Sequence, residues 1–328
     1  MQRFVTWLGG LLLLGVLLLG SFAYYAYAPL KLPSTPYTFS IQSRSSLDSA
    51  AQQMQDAGVI GNKPLFMLLT RVMGHAGHIK SGQYTLDKPV SPRQLVAILV
   101  QGSTTLRQIT IIEGWTFRQF RAALNAHPDL RHDTAALSDA QILHKFEPTA
   151  ESAEGWFFPD TYQFEAGNSD WQVLKKAWQT MQKRLQVAWQ ERDPDLPLQS
   201  PYEALILASL VEKETGVARD REMIAGVFVN RLRQGMRLQT DPSVIYGLGE
   251  RFDGNLRKVD LQTDTPYNTY TRNGLTPTPI ALPGAASLHA ALHPAKTNAV
   301  YFVARGDGSS HFSSNLTEHN RAVNRYQK

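Results

Sequence analysis

The 328-residue sequence contains no cysteine. Disulfides, thiol nucleophiles and thiolate metal centres are therefore excluded, and the redox compartment is left open. Charged residues are sparse at 19%, and the net charge of +5 is spread along the chain with no Lys/Arg block able to track nucleic acid, so no nucleic-acid partner is expected. The sequence also lacks an internal repeat, a low-complexity tract, a G-x-S-x-G nucleophile elbow and a phosphate-binding glycine loop. What it does have is 43% hydrophobic residues, ample for a core, in a length that suits two compact units.

A local absence says more. No residue between Arg3 and Lys31 is charged, and Phe4 to Ala28 includes Leu11-Leu12-Leu13-Leu14 and Leu17-Leu18-Leu19 with Tyr24, Tyr25 and Tyr27 at its far end. A spanning helix needs about 20 apolar residues, and tyrosines favour the interface. The run predicts a single membrane anchor over residues 1–30 with the remainder exported. Ala26-Tyr27-Ala28 also reads as a signal-peptide cleavage site, but the apolar run is longer than a signal peptide's usual apolar core of about 7–15 residues.

Residues 31–108 read as a small α/β unit. Tyr37–Ile41 alternates as a strand, and Leu47, Ala50, Ala51 and Met54 mark a helix closed by Gly58. Asn62-Lys63-Pro64 opens a second helix with Leu65, Leu68, Leu69 and Val72. Ser81–Leu86 is another strand, and Ser91-Pro92 starts a helix with Leu95, Ile98 and Leu99. From residue 109 to 328 a larger mixed α+β unit follows. It opens with a strand at Ile109–Ile112 and has a long amphipathic helix from Trp171 to Gln190 bearing Leu174, Trp178, Met181, Leu185 and Ala188. Val300–Ala304 and His311–Ser313 flank Gly306-Asp307-Gly308 as a hairpin.

The helix that follows Ser200 carries the chemistry. Ser200-Pro201-Tyr202-Glu203 predicts an N-cap with a capping box, Ala204 to Val211 is apolar around most of the circumference, and Gly216 is the expected C-cap. Glu212 and Glu214 lie about 200° apart and point different ways. Glu214 sits on the apolar stripe, one turn beyond Leu210, and in the last turn, where the helix dipole opposes negative charge. Both effects raise a carboxyl pKa, which is what protonating a glycosidic oxygen near neutral pH requires. The alternative is a helix end emerging into solvent, where Glu-Lys-Glu is ordinary. Downstream, Met236 to Gly247, Tyr267 to Tyr270 and Leu275 to Ile280 are rich in Asn, Gln, Thr and Tyr, groups that hydrogen-bond sugar hydroxyls and stack on pyranose faces. His289 and His293 have zinc-helix spacing, but Ala290 stands where the metalloprotease Glu would be and no third ligand follows; no metal and no cofactor are expected.

Leu210-Val211-Glu212-Lys213-Glu214-Thr215, Asn230-Arg231-Leu232, Leu238-Gln239-Thr240-Asp241-Pro242 and Tyr267-Asn268-Thr269-Tyr270 together resemble the YceG-like family of endolytic murein transglycosylases, as does the block Glu154 to Tyr162. The resemblance implies an α+β chain with an N-terminal transmembrane helix, a LysM-like subdomain over 31–108 and a catalytic domain over 109–328. It implies an inner-membrane location with the catalytic part periplasmic, peptidoglycan glycan strands as substrate, and a role in ending nascent strands near penicillin-binding proteins. The family's catalytic acid carries over to Glu214. Gln239, Asp241 and Asn268 are candidates for orienting sugar, Tyr246 and Tyr270 for stacking, and Thr240 completes the candidate binding set. A muramidase that uses water, with Asp241 or Glu212 as second carboxylate, and a non-catalytic wall-binding scaffold are the competing readings.

Overall fold

The structure is a computed structural model in which residues 2–102 and 106–327 are described, residues 2–9, 11 and 12 by their backbone only. It divides into two compact units, one of residues 1–107 with 163–168, the other of 108–162 with 169–328.

The first unit begins with helix α1 (Gln2–Tyr27). The expected anchor falls in part on side chains outside the described residues; among the described residues no helix is long and apolar enough to cross a membrane. Strands β1 (Tyr37–Ile41) and β2 (Gly82–Leu86) pair antiparallel, with Phe39 opposite Tyr84 and the two rings stacked at 5.5 Å. Helices α2 (Leu47–Asp56), α3 (Lys63–Val72) and α4 (Pro92–Gln101) join them around a core containing Met54, Phe66, Tyr84, Leu95 and Leu99. Each helix starts where a short polar side chain caps it: Ser46, Asn62 and Ser91 accept from backbone N–H groups three residues on. On α3 the buried face differs from the expected one. Leu69 is inside as expected, but with Phe66 and Thr70, while Leu68 and Val72 are 48% and 69% exposed. Burying the phenyl ring of Phe66 removes more apolar surface than a leucine and sets the rotation of the helix.

Strand β3 (Leu106–Thr110), from which the chain passes into the second unit, pairs with β4 (Thr161–Glu165). The strand lies earlier than expected: Ile111 donates its N–H to Asp160 O beyond the strand's end, and Ile112 is exposed. Between β3 and β4 run α5 (Phe117–Ala126) and the short α6 (Asp139–Leu143). Then come α7 (Asp170–Glu191), α8 (Pro201–Glu214), α9 (Ala218–Arg233), α10 (Asp241–Leu248), α11 (Lys258–Gln262) and α12 (Ala285–Leu292). Strands β5 (Tyr301–Ala304) and β6 (Ser310–Ser313) form the expected hairpin, with Gly306 and Gly308 both at φ 85°, and α13 (Leu316–Tyr326) packs on both.

Helix α8 is the axis of this unit. Every residue from Ala204 to Val211 is buried, and α7, α9, α10 and α12 pack around it. An all-round apolar helix can hide only inside such a jacket. The capping differs from expectation at both ends. Ser200 Oγ accepts from Glu203 N–H, but Glu203 reaches one residue further back to accept from Gln199 N–H. At the other end the helix stops at Glu214, because Thr215 turns extended (φ −147°) and its hydroxyl accepts Val217 N–H at 2.9 Å; Gly216 makes no left-handed cap.

Candidate active site

Because α8 ends at Glu214, its side chain leaves the jacket at a helix C-terminus, where free carbonyls face an anion. The carboxyl end is closely surrounded by protein, and that burial drives its pKa up; the charge of Asp241 adds to the rise, while the Thr240 hydroxyl and Arg231 oppose it. Thr240 Oγ1 donates to Glu214 Oε2 at 2.6 Å. The result is a carboxyl group that holds its proton further up the pH scale than a solvent-exposed one and has one oxygen fixed in direction.

The loop that brings Thr240 to this position is built backwards from its polar groups. Thr240, 1% exposed, donates its N–H to Thr269 Oγ1 (3.0 Å), and Ser243 Oγ closes the cluster, 2.8 Å from Thr240 O and 2.9 Å from Thr269 Oγ1. Gln239 stands in the left-handed region (φ 51°), a conformation that costs a non-glycine residue about 1 kcal/mol, and donates its N–H to Thr269 O. Arg231, 6% exposed, fixes the same loop from below. Its Nη1 donates to Leu238 O (2.7 Å) and Arg237 O (3.2 Å) and approaches Gln239 Oε1 (3.4 Å), while Nε donates to Val300 O (2.6 Å). Its neighbour Asn230 donates to Thr297 O and Ala299 O, so the Asn-Arg pair ties α9 to the segment leading into β5.

The expected site residues separate into two groups. Gln239, Thr240 and Asp241 lie together on the loop that meets Glu214, and Tyr270 joins them by donating its hydroxyl to Asp241 Oδ1 at 2.5 Å. Asn268 stands behind them. It is fully buried; its amide donates to Asp260 O, Leu261 O and Thr263 O, and its Oδ1 accepts Tyr270 N–H, so its contact with the site is the placement of Tyr270. Tyr246, on α10, turns its hydroxyl to Glu154 Oε2 (3.2 Å). Glu212 points elsewhere, as its angle on the helix requires: Oε2 accepts Gly284 N–H at 3.0 Å, beside Glu113. His289 and His293 lie with ring centroids 4.7 Å apart, each near an acidic side chain, Glu222 and Asp193.

Two polar residues escaped the sequence reading as site elements. Arg231 is one, although it stood inside a recognised motif. Glu154 is the other, 4% exposed, accepting Phe117 N–H (2.8 Å) and the Tyr246 hydroxyl; burial pushes its pKa up to about 7. A charged residue opening an aromatic block was the available signal for Glu154.

With this geometry in hand, comparison with known proteins is decisive for family. The profile of the YceG-like family matches residues 39–325. The chain belongs to the YceG-like family. A curated relative from Bacillus subtilis, an endolytic murein transglycosylase, is 34% identical, over 89% of this chain and 85% of the relative. A protein of the same name from Streptococcus pneumoniae is 27% identical over 95% of this chain, and the chain spans 63% of that relative's length. A crystal structure of a putative YceG-like protein from Listeria monocytogenes superposes with a TM-score of 0.54 at 30% identity, covering 87% of this chain and 98% of that one. The chain thus places Glu212-Lys213-Glu214-Thr215 at the end of the buried helix α8, with Glu214 hydrogen-bonded across to Thr240 in the Gln-Thr-Asp loop.

Proposed function

We propose that this protein is a peptidoglycan lytic transglycosylase that cuts glycan strands internally, with Glu214 as the acid and then the base. The observation that carries the reading is the half-buried carboxyl of the last residue of α8, raised in pKa and held by Thr240, in a chain whose curated relatives are named endolytic murein transglycosylases. Glu214 protonates the oxygen linking N-acetylmuramic acid to N-acetylglucosamine, and that C–O bond breaks. The muramic C6 hydroxyl attacks C1 of its own ring, and Glu214 recovers a proton from that hydroxyl as the new C–O bond forms. The product is a 1,6-anhydro end and no water is consumed. An internal nucleophile acts at high effective concentration, so one carboxylate suffices where a hydrolase needs two.

Gln239, Thr240 and Asp241 orient the sugar, Tyr270 and Tyr246 supply its apolar contacts, and Asn268 acts through Tyr270. Residues 1–30 anchor the chain in the inner membrane in a single pass with the catalytic part, 109–328, on the periplasmic side; the uncharged run from Phe4 to Leu30 supports this. Residues 31–108 form a LysM-like wall-binding unit. Ending of nascent strands beside penicillin-binding proteins is the role these assignments fit.

The test is digestion of uncross-linked glycan by the full-length protein, with fragments read by mass spectrometry. Internal fragments with 1,6-anhydro ends, lost in Glu214→Gln by about 10²–10⁴ in rate, are expected. Reducing ends would instead mean a water-using muramidase with Asp241 as second carboxylate. Binding without cleavage by both proteins would mean a scaffold.

A further inference from the structure

Four aromatic side chains form a row on the surface of the second unit's core. Trp156 stacks on Tyr202 with ring centroids 5.1 Å apart and planes 13° from parallel, and Tyr246 meets Tyr267 edge-on at 5.0 Å. Tyr246 gives its hydroxyl to Glu154, two residues before Trp156, which joins the two pairs in one row. All four are half-buried, packed on one side against the core around α8 and open on the other.

Helices α10 and α8 relate the row to the proposed acid. Tyr246 belongs to α10, whose preceding residue Thr240 holds Glu214. Tyr202 stands in the first turn of α8 and Glu214 is its last residue, a separation of about 18 Å of helix rise. The rings are also held in place. Buried Glu154 accepts the Tyr246 hydroxyl, and Tyr267 shares a 2.9 Å hydrogen bond with Thr278 Oγ1. Gly155 sits at φ 83° where a Cβ would lie 2.6 Å from Pro279, so the turn that presents Trp156 admits only glycine. With the Tyr246 and Tyr267 hydroxyls turned into the protein, the wall offers aromatic surface.

Fixed aromatic surface suits the C–H face of pyranose rings. We propose that Trp156, Tyr202 and Tyr267 extend from Tyr246 as a distal subsite for the glycan polymer, binding sugar rings remote from the bond that is cut. The inference rests on the transglycosylase reading above. It explains internal cutting: a strand must run on past the acid to cover the row, so remote binding energy goes to long strands and is withheld from short ends.

The experiment compares long uncross-linked glycan with a tetrasaccharide spanning the scissile bond, using full-length wild type, Trp156→Leu and Tyr202→Leu. The ratio of kcat/KM for polymer to that for tetrasaccharide is expected to fall about tenfold in each variant, through KM on the polymer. An unchanged ratio, whether through equal loss on both substrates or no loss on either, overturns the proposal. A second measurement does not need turnover. Glycan added to Glu214→Gln should quench tryptophan fluorescence, and that quench should be lost in Glu214→Gln/Trp156→Phe; a quench that survives counts against the row. If wild type forms no anhydro ends while the Trp156-dependent quench is present, the transglycosylase reading fails and the glycan subsite stands.

Discussion

Thr240 occupies the N-cap position of α10, yet its hydroxyl donates to Glu214 Oε2 at 2.6 Å. A threonine before Asp-Pro would ordinarily accept a helix N–H. Here the cap is given up to a residue 26 positions away, and the start of α10 is secured by Ser243 and Thr269 instead. Local preference yields at this point because the hydroxyl is bonded to the Glu214 carboxyl instead.

Replacing Thr240 with valine keeps the shape and removes the donor. The hydroxyl stabilises the ionised form of Glu214, so its loss raises an already raised pKa. In the proposed reaction Glu214 must be protonated to act, so the alkaline limb of the kcat profile should move to higher pH in Thr240→Val, with kcat lower by about tenfold because the carboxyl is no longer aimed. A limb that moves downward would contradict the assignment.

Arg231 holds three carbonyls, Val300, Leu238 and Arg237, from a buried position. Arg231→Met should leave those acceptors without partners and cost about 2–4 kcal/mol in denaturant unfolding. Arg231→Lys should recover little, since an ammonium cannot reach carbonyls on two sides as the planar guanidinium does. Recovery of most of the stability by lysine would show that charge alone matters here.

Much of this was legible in advance, and the reasons are local. Ser200-Pro201, Asn62-Lys63-Pro64 and Ser91-Pro92 mark helix starts because the capping groups lie within three residues. The burial of α8 follows from its apolar circumference, and the direction of the Glu214 shift from its place on that helix. What failed depended on distance or on a choice between neighbours. The link from Glu154 to Tyr246 spans 92 residues and that from Arg231 to Val300 spans 69. No periodicity records such pairs. On α3, Leu65-Leu68-Leu69-Val72 and Phe66-Leu69-Thr70 are both helical stripes sharing Leu69, and only the shape of the core selects the second. Asn268 looked like a sugar contact because polar loops resemble one another; three backbone carbonyls within reach of its amide decide otherwise.

Glu154 gives a pH test of its own. Burial raises its pKa from 4.5 to about 7, so the folded state binds the proton more tightly than the unfolded chain. Its contribution to stability is therefore greatest at low pH, declines as pH rises from about 4.5 to about 7, and is flat above. Integrated over that window the loss is about 3 kcal/mol. Glu154→Gln keeps an acceptor for Phe117 N–H and removes the titration. The stability of wild type relative to the variant should fall by about that amount between pH 4.5 and 7.5, measured by denaturant unfolding. A gap independent of pH would mean that Glu154 stays ionised throughout.

Gln239 separates stability from activity. Its left-handed backbone (φ 51°) is unfavourable for any side chain, and glycine adopts it freely. Were the loop shaped for stability alone, glycine would serve better. Gln239→Gly should change unfolding free energy by no more than about 1 kcal/mol, relief of strain being offset by the greater freedom of the unfolded chain. The same substitution removes the side chain that Arg231 approaches at 3.4 Å and that faces solvent beside the acid. A rise in KM for glycan with kcat and stability nearly unchanged is therefore expected, since a sugar contact made equally in ground and transition states affects binding alone. A fall in kcat with KM unchanged would instead place Gln239 behind Glu214, as part of the frame that aims it.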